Sequence, residues 1–225
     1  LKSITEQLNE LHTDWKNRFI GQNYIEDGII DEQAWLSPGR KIMVLLKEPH
    51  SRDYGWKYQD FILRRGYLEE GTSTWANLLR WTYGMLHGFP PYQEVDEAFH
   101  DIKENSLHFF GSVCFANIKK IAGASVANDK ELIAFSDASH PFILKQISIL
   151  EPSIVLCCGG IVFDIVRKSL DKEKIEYERK FTSGGLEVIW WKDKRINIVR
   201  YFHPMAHIPK EISYTYLIHE LRQIL

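Results

Sequence analysis

The hydrophobic positions of the chain change period several times, and each change marks an element. Ile4, Leu8, Leu11 and Trp15 recur at helical spacing behind Ser3, and Glu6 completes a capping-box pattern. This predicts an amphipathic opening helix of about four turns. From Arg40 to Leu46 the pattern becomes a continuous apolar run, the mark of a strand covered on both faces. Similar runs return at Val113–Ala116, Ile154–Cys158 and Ile196–Phe202. Helices are predicted at Ser73–Leu86, Val95–Asn105, Pro141–Leu150, Ile161–Leu170 and Ile212–Leu225, with Pro141 in the first turn of its helix. Glu187–Trp191, after Gly184 and Gly185, reads as an extra strand in a hairpin beside the last run.

Short buried strands alternating with helices predict parallel βαβ units. The expected fold class is therefore α/β, a three-layer α/β/α sandwich around a central, mainly parallel four-stranded sheet. No repeat, low-complexity tract or long linker divides the chain. Residues 1–225 read as a single domain, with 1–40 as an N-terminal helix and lead-in and 41–225 as the α/β core.

Composition narrows the class further. Hydrophobic residues make up 44% and charged residues 26%, which excludes a disordered chain and leaves enough apolar mass for a sizeable core. No apolar run approaches the roughly 18–20 residues that span a bilayer. The segment Leu1–Glu10 lacks the apolar centre of a signal peptide. The 3 cysteines, with Cys157 and Cys158 adjacent, form neither a disulfide framework nor a metal or cluster spacing. They read as core packing. A cytoplasmic, reduced protein is expected. With 28 basic against 30 acidic residues, any nucleic-acid partner must be met by a local basic face. Glu94, Asp96, Glu97, Asp101 and Glu104 read as a solvated helix face pointing elsewhere, and adjacent Trp190 and Trp191 as residues on opposite faces of a strand, one of them core.

In open α/β sheets, chemistry collects beyond the carboxyl ends of the strands. Past the first run come Lys47, Glu48, Pro49 and His50; at the end of the second comes Asn117, followed by Lys119 and Lys120. Gly159 and Gly160 follow the third, and His203, Pro204, Met205 and His207 follow the fourth. A carboxylate, a carboxamide, a turn of backbone donors and an imidazole thus share one rim.

In this order the motifs resemble those of the uracil-DNA glycosylase superfamily. That family has an acidic or amide turn with proline, a strand ending in Asn, a Gly-containing turn and a late strand running into His-Pro. The counterparts here are Glu48-Pro49, Asn117, Gly159-Gly160 and His203-Pro204. The stretch Ser73-Thr74-Trp75-Ala76-Asn77-Leu78 is similar to the helix start by which the family grips DNA phosphate. The resemblance runs from about Lys41 to His207. The chain differs in having Lys47 before the carboxylate, Glu48 in place of Asp and Met205 in place of serine, and it lacks the four cysteines of the cluster-containing members. The resemblance implies a monomeric, cofactor- and metal-free hydrolase. It would flip uracil or a related pyrimidine out of single- or double-stranded DNA and cleave its N-glycosidic bond in base-excision repair, with no membrane partner.

Each role has a physical basis. Cleavage passes through an oxocarbenium-like sugar while negative charge develops on the leaving base. Glu48 would orient the water and offset the sugar charge, the alternative being that it caps its turn or pairs with Lys47 or Arg52. His203 would donate to the base oxygen as a neutral imidazole, or else be held by nearby backbone. Asn117 offers a donor and an acceptor to a pyrimidine edge, or merely closes the strand. Tyr54, Trp56 and Phe61 are stacking candidates or plain core, and Phe61 best matches the family's spacing. His50 stands where some members exclude the thymine methyl. Met205, His207 and Ile208 are wedge candidates for the gap left by an extruded base. Ser73, Thr74, the Gly159 and Gly160 amides, Lys119 and Lys120 are candidate phosphate contacts, the two lysines reading equally as a solvated pair. His140-Pro141 reads as a helix start, and Pro204 argues against a helical His203/His207 metal pair. The rival readings are a catalytically silent member that binds nucleic acid or a free base, and an unrelated small-molecule hydrolase, for which no Gly-x-Ser-x-Gly elbow or phosphate loop speaks.

Overall fold

The structure is a computed structural model that describes residues 2–50, 56–65, 73–123 and 127–225, without the side chains of 63–65, 106 and 107. The first half of the chain forms α1 (Ile4–Lys16), β1 (Gly28–Ile29), α2 (Glu32–Leu36), β2 (Ile42–Leu46), α3 (Tyr58–Arg65), α4 (Ser73–Leu86), α5 (Tyr92–Glu97), α6 (Phe99–Glu104), α7 (Ser106–Phe110) and β3 (Val113–Asn117). The second half adds α8 (Asp129–Leu150), β4 (Ile154–Cys158), α9 (Gly160–Lys172), β5 (Glu178–Phe181), β6 (Glu187–Trp191), β7 (Ile196–Tyr201) and α10 (Lys210–Leu221). The predicted capping box at Ser3 and Glu6 opens α1, with both reciprocal bonds made.

The α/β class is as expected, but the sheet is larger than four strands. It is a mixed sheet of 7 strands in the order β1-β3-β2-β4-β7-β6-β5. The four predicted apolar runs form its parallel centre, β3-β2-β4-β7. β1 adds antiparallel to β3, while β6 adds antiparallel to β7 and β5 to β6. β6 is the expected hairpin strand. β1 and β5 escaped the pattern for different reasons. β1 is 2 residues long, too short to show a period. β5 is Glu-Arg-Lys-Phe, largely exposed, the charged composition that guards a sheet edge.

Alternate strand residues feed two cores. Val44, Phe115, Leu156 and Val199 pack against α3 to α7 and α10, while Met43, Cys114, Val155 and Ile198 pack against α1, α8 and α9. One helix starts well before its predicted position. α8 runs for 22 residues through Pro141 instead of beginning there. Pro141 has no amide to give the Asp137 carbonyl, and the His140 ring donates to that oxygen instead, at 3.1 Å. Among the described residues, no helix is long and apolar enough to cross a membrane.

The connections position the site. From β2 the chain passes over one face to β3, then returns by α8 over the other face to β4, which lies on the opposite side of β2. The direction of winding therefore changes between β2 and β4. A crevice opens at the carboxyl ends of strands at such a switch point.

Candidate active site

Lys47, Glu48 and Pro49 leave β2 at this crevice, and Gly159 leaves β4 beside them. Gly159 holds φ +117, a conformation that favours glycine, and a Cβ there would lie 3.9 Å from Cε of Lys47. Gly159 caps the start of α9 with no side-chain cap bond, so the first amides of that helix have no side-chain acceptor from the cap. Arg200 lies over the next glycine, where a Cβ on Gly160 would meet its guanidinium at 2.7 Å.

The β2–β3 ladder continues past both strands, as Lys119 N–H donates to the Lys47 carbonyl at 2.9 Å and Gly123 N–H to the Pro49 carbonyl at 2.9 Å. This extension carries Lys119 to Glu48. Their side chains are 10% and 5% exposed and meet at 2.8 Å, and Lys119 also reaches Glu131 at 3.2 Å. Burial opposes the Lys119 charge, but its hydrogen bonds and charge contacts with Glu48, then Glu131, more than offset this and raise its pKa. Glu48 lies directly on Gly123, where a Cβ would sit 2.1 Å from Oε1, so only glycine leaves room for the carboxylate. Of the sequence alternatives, pairing with Lys47 is not what forms: Lys47 bonds Asp129 at 2.9 Å. Arg52 lies outside the described residues.

His203 follows β7 into an irregular loop. Met205 N–H donates to its Nδ1 at 3.2 Å, so in the neutral ring Nε2 carries the proton and is the donor. Burial, then the nearby Lys47 ammonium, lowers the imidazole pKa below the usual histidine value and favours that neutral form. The loop is tied to α4 by Asn77, whose Nδ2 donates to the Pro204 carbonyl at 2.7 Å. Exposed Ser73 and half-buried Thr74 begin that helix one turn earlier. Met205 is 59% exposed, His207 is exposed and Ile208 half-buried.

Asn117 ends β3 and is buried. Its backbone N–H donates to Asp27 Oδ2 at 2.8 Å, and its Nδ2 approaches the same oxygen at 3.4 Å. The amide also lies beside the Tyr58 hydroxyl, whose pKa burial pushes up and the contact with Asn117 draws down. Asn117 Oδ1 is buried with no hydrogen-bond partner.

Lys120 corrects the sequence expectation outright. It is neither solvated nor available to phosphate: the side chain is 0% exposed and ion-paired with Asp27 at 2.6 Å. Its three protons have three acceptors in Asp27, the Asn117 carbonyl at 2.7 Å and Gln146 Oε1 at 2.9 Å. Lys119, buried in its pair with Glu48, is likewise not a free phosphate ligand. Lys47 is the more open rim cation, 26% exposed.

Phe61 and Trp56 are half-buried, with ring centroids 5.8 Å apart, and Phe61 lies 6.0 Å from Trp75 and 6.1 Å from Tyr58. They border the core as part of an aromatic cluster. Tyr54 lies outside the described residues. His50 is exposed and bridged to Gly123. Cavities of about 670 Å³ between α1 and α8 and about 530 Å³ between α5 and α10 do not include Glu48, Asn117 or His203 in their walls.

Sequence reasoning missed Asp27, Tyr58, Asn77 and Gly123. Asp27, Tyr58 and Gly123 sit in no motif, Asn77 stands in the quoted Ser73–Leu78 stretch without a role of its own, and each acts on a residue distant in the chain.

The buried network extends to His12, whose Nε2 donates to the Asp27 carbonyl at 2.7 Å while Nδ1 accepts from Tyr24 at 2.8 Å. Burial, with Lys120 assisting and Asp27 opposing, lowers the His12 pKa from the usual 6.5. Below that value the unfolded chain takes up a proton that the folded chain refuses, so stability is lost as pH falls from 6.5 toward the lowered folded value. Urea unfolding at pH 7.5 and 5.5 should give a lower stability at the acid end. His12→Gln should lose much of that slope, and an unchanged slope in the variant would assign the acid sensitivity to other groups.

No protein-family model matches this sequence, and no curated protein matches it.

Proposed function

We propose that the protein is a DNA glycosylase-like hydrolase with a uracil-DNA glycosylase-like α/β/α fold, which extrudes a uracil-type base and cleaves its N-glycosidic bond. The observation that carries this reading is the state of His203. A neutral ring with Nδ1 engaged, and with Nε2–H given no partner among the described residues, is the donor needed where negative charge grows on a departing base oxygen. Support also comes from the sheet edge, where the parallel strands β2, β4 and β7 are followed by Glu48, the Gly159 helix start and His203.

In this reading Glu48 orients the attacking water and offsets positive charge on the sugar, and Lys119 holds it in place by their ion pair. His203 receives the charge of the leaving base, Asn117 contacts the base edge, and Phe61 or Trp56 lies against its ring. Lys47, the α9 amides and the Ser73 helix start meet backbone phosphates, while Met205, His207 and Ile208 enter the gap in the duplex.

One observation favours a second reading, a silent member that binds nucleic acid without cleaving it. The Glu48 carboxylate is nearly covered and already paired. A labelled uracil-containing oligonucleotide, incubated with protein and then treated with alkali, separates the two. Strand breaks that fall by at least about a hundredfold in Glu48→Gln and in His203→Ala are expected for the enzyme. Retarded mobility without breaks favours the binder. Neither breaks nor retardation overturns both.

A further inference from the structure

Phe202 and Tyr216 form an aromatic shelf beside the loop that carries His203, and the proposed chemistry uses neither. Phe202 is 40% exposed, and Met205 at 59% and Ile212 at 56% follow it, so three large apolar side chains meet water within one short stretch. Scattered singly, such residues are ordinary on a protein surface; gathered at one strand exit they mark a contact. The Phe202 ring is well supported. It lies 5.0 Å from the ring of Tyr201 and 6.1 Å from that of Tyr216 in α10, and the two tyrosines are nearly parallel, 18° apart at 6.3 Å. Buried Tyr201 stands edge-on to Trp81 and donates to the Ser213 carbonyl. Half-buried Tyr216 donates to the Gly184 carbonyl at 3.1 Å. Both rings beneath Phe202 are thus held before any ligand arrives, which lowers the ordering cost of binding.

Charge decides what this shelf suits. Duplex DNA carries one negative charge per about 1.7 Å of axis and is held chiefly by cations that neutralise it. At the strand ends Lys47, Lys119, Lys120 and Arg200 each already meet a carboxylate, and the formal net charge of the chain is -2. A ligand drawn by its phosphates alone finds little there. An unpaired base instead offers a flat π-face, which stacks on an exposed ring whatever its sequence. Phe202 and His203 are consecutive, about 3.8 Å apart at Cα, so a base on the shelf is a neighbour of one held at His203. We infer that Phe202, backed by Tyr216, is a stacking site for an unpaired base next to the extruded one. In a closed duplex that neighbour stays in its own stack, so the shelf favours strands left unpaired around the target. The place beside the target rests on the proposed glycosylase reading, whereas the binding of an unpaired strand at Phe202 does not.

The probe is a fluorescent oligothymidine strand, free of uracil, used alone and annealed to oligodeoxyadenosine, titrated with the full chain and read by anisotropy. The wild type should bind the single strand at least about tenfold more tightly than the duplex. Phe202→Leu keeps apolar bulk but removes the π-face; it should weaken single-strand binding at least about fivefold and leave duplex binding unchanged, and Phe202→Trp should restore the loss. Duplex binding as tight as single-strand binding overturns the inference on the wild type alone, even where the variants fail to fold. So does a folded Phe202→Leu that binds the single strand like wild type. Absence of single-strand binding overturns it too, and if the wild type still releases uracil from an oligonucleotide, the glycosylase reading stands without the shelf. Strand binding that depends on Phe202, with no release of uracil, keeps the shelf and removes the glycosylase reading.

Discussion

Lys120→Met should lower the unfolding free energy by roughly 3–5 kcal/mol, because it strands the buried Asp27 carboxylate without its counter-ion. Domains hold only about 5–15 kcal/mol in total, so the loss is a large fraction of the stability. In urea the midpoint should fall by more than about 1 M with little change in slope, since the surface exposed on unfolding is nearly the same. The pair Asp27→Asn/Lys120→Met should recover much of the loss, because no unpaired charge then remains. A single variant within about 0.5 kcal/mol of wild type would mean that Lys120 finds water in solution and that the network is looser than its distances imply.

Lys119→Met carries the second large effect, on the proposed reaction. The substitution leaves the Glu48 side chain, 5% exposed, without its counter-ion, and burial of an unpaired carboxylate favours its neutral form. A protonated carboxyl neither activates water nor offsets positive charge on a sugar. Cleavage of a uracil-containing oligonucleotide should fall by about a hundredfold or more near pH 7. The sign of the pH response identifies the cause. A buried carboxyl without a counter-ion takes up a proton more readily than a paired one, so the loss caused by the substitution should shrink as the pH is raised. A loss of equal size at every pH would show that Lys119 acts through packing. Glu131 pairs with the same ammonium but is itself 62% exposed, so Glu131→Gln should change the rate little.

The two predictions separate the rim from its support. Lys119 and Lys120 are adjacent in sequence yet serve different purposes. The first meets the carboxylate at the end of β2, and the second is turned under β3 to the aspartate that precedes β1. Nothing in a Lys-Lys dipeptide distinguishes a solvated pair from this arrangement.

Periodicity alone determined much of the frame. Continuous apolar runs gave the four parallel strands, because strands covered on both faces cannot alternate with polar residues. Their ends placed Glu48, Asn117, Gly159 and His203 on one rim before any coordinates were needed. Tertiary structure decided what periodicity does not encode. β1 and β5 exist as strands because neighbours supply their hydrogen bonds, and α8 continues through Pro141 because the His140 ring serves the orphaned carbonyl. Above all, the charge partners are distant in the chain, 71 residues apart for Glu48 and Lys119 and 93 for Asp27 and Lys120. Whether a lysine is solvated or paired with a buried carboxylate depends on which segments fold against it, and that information lies in the packing of the sheet.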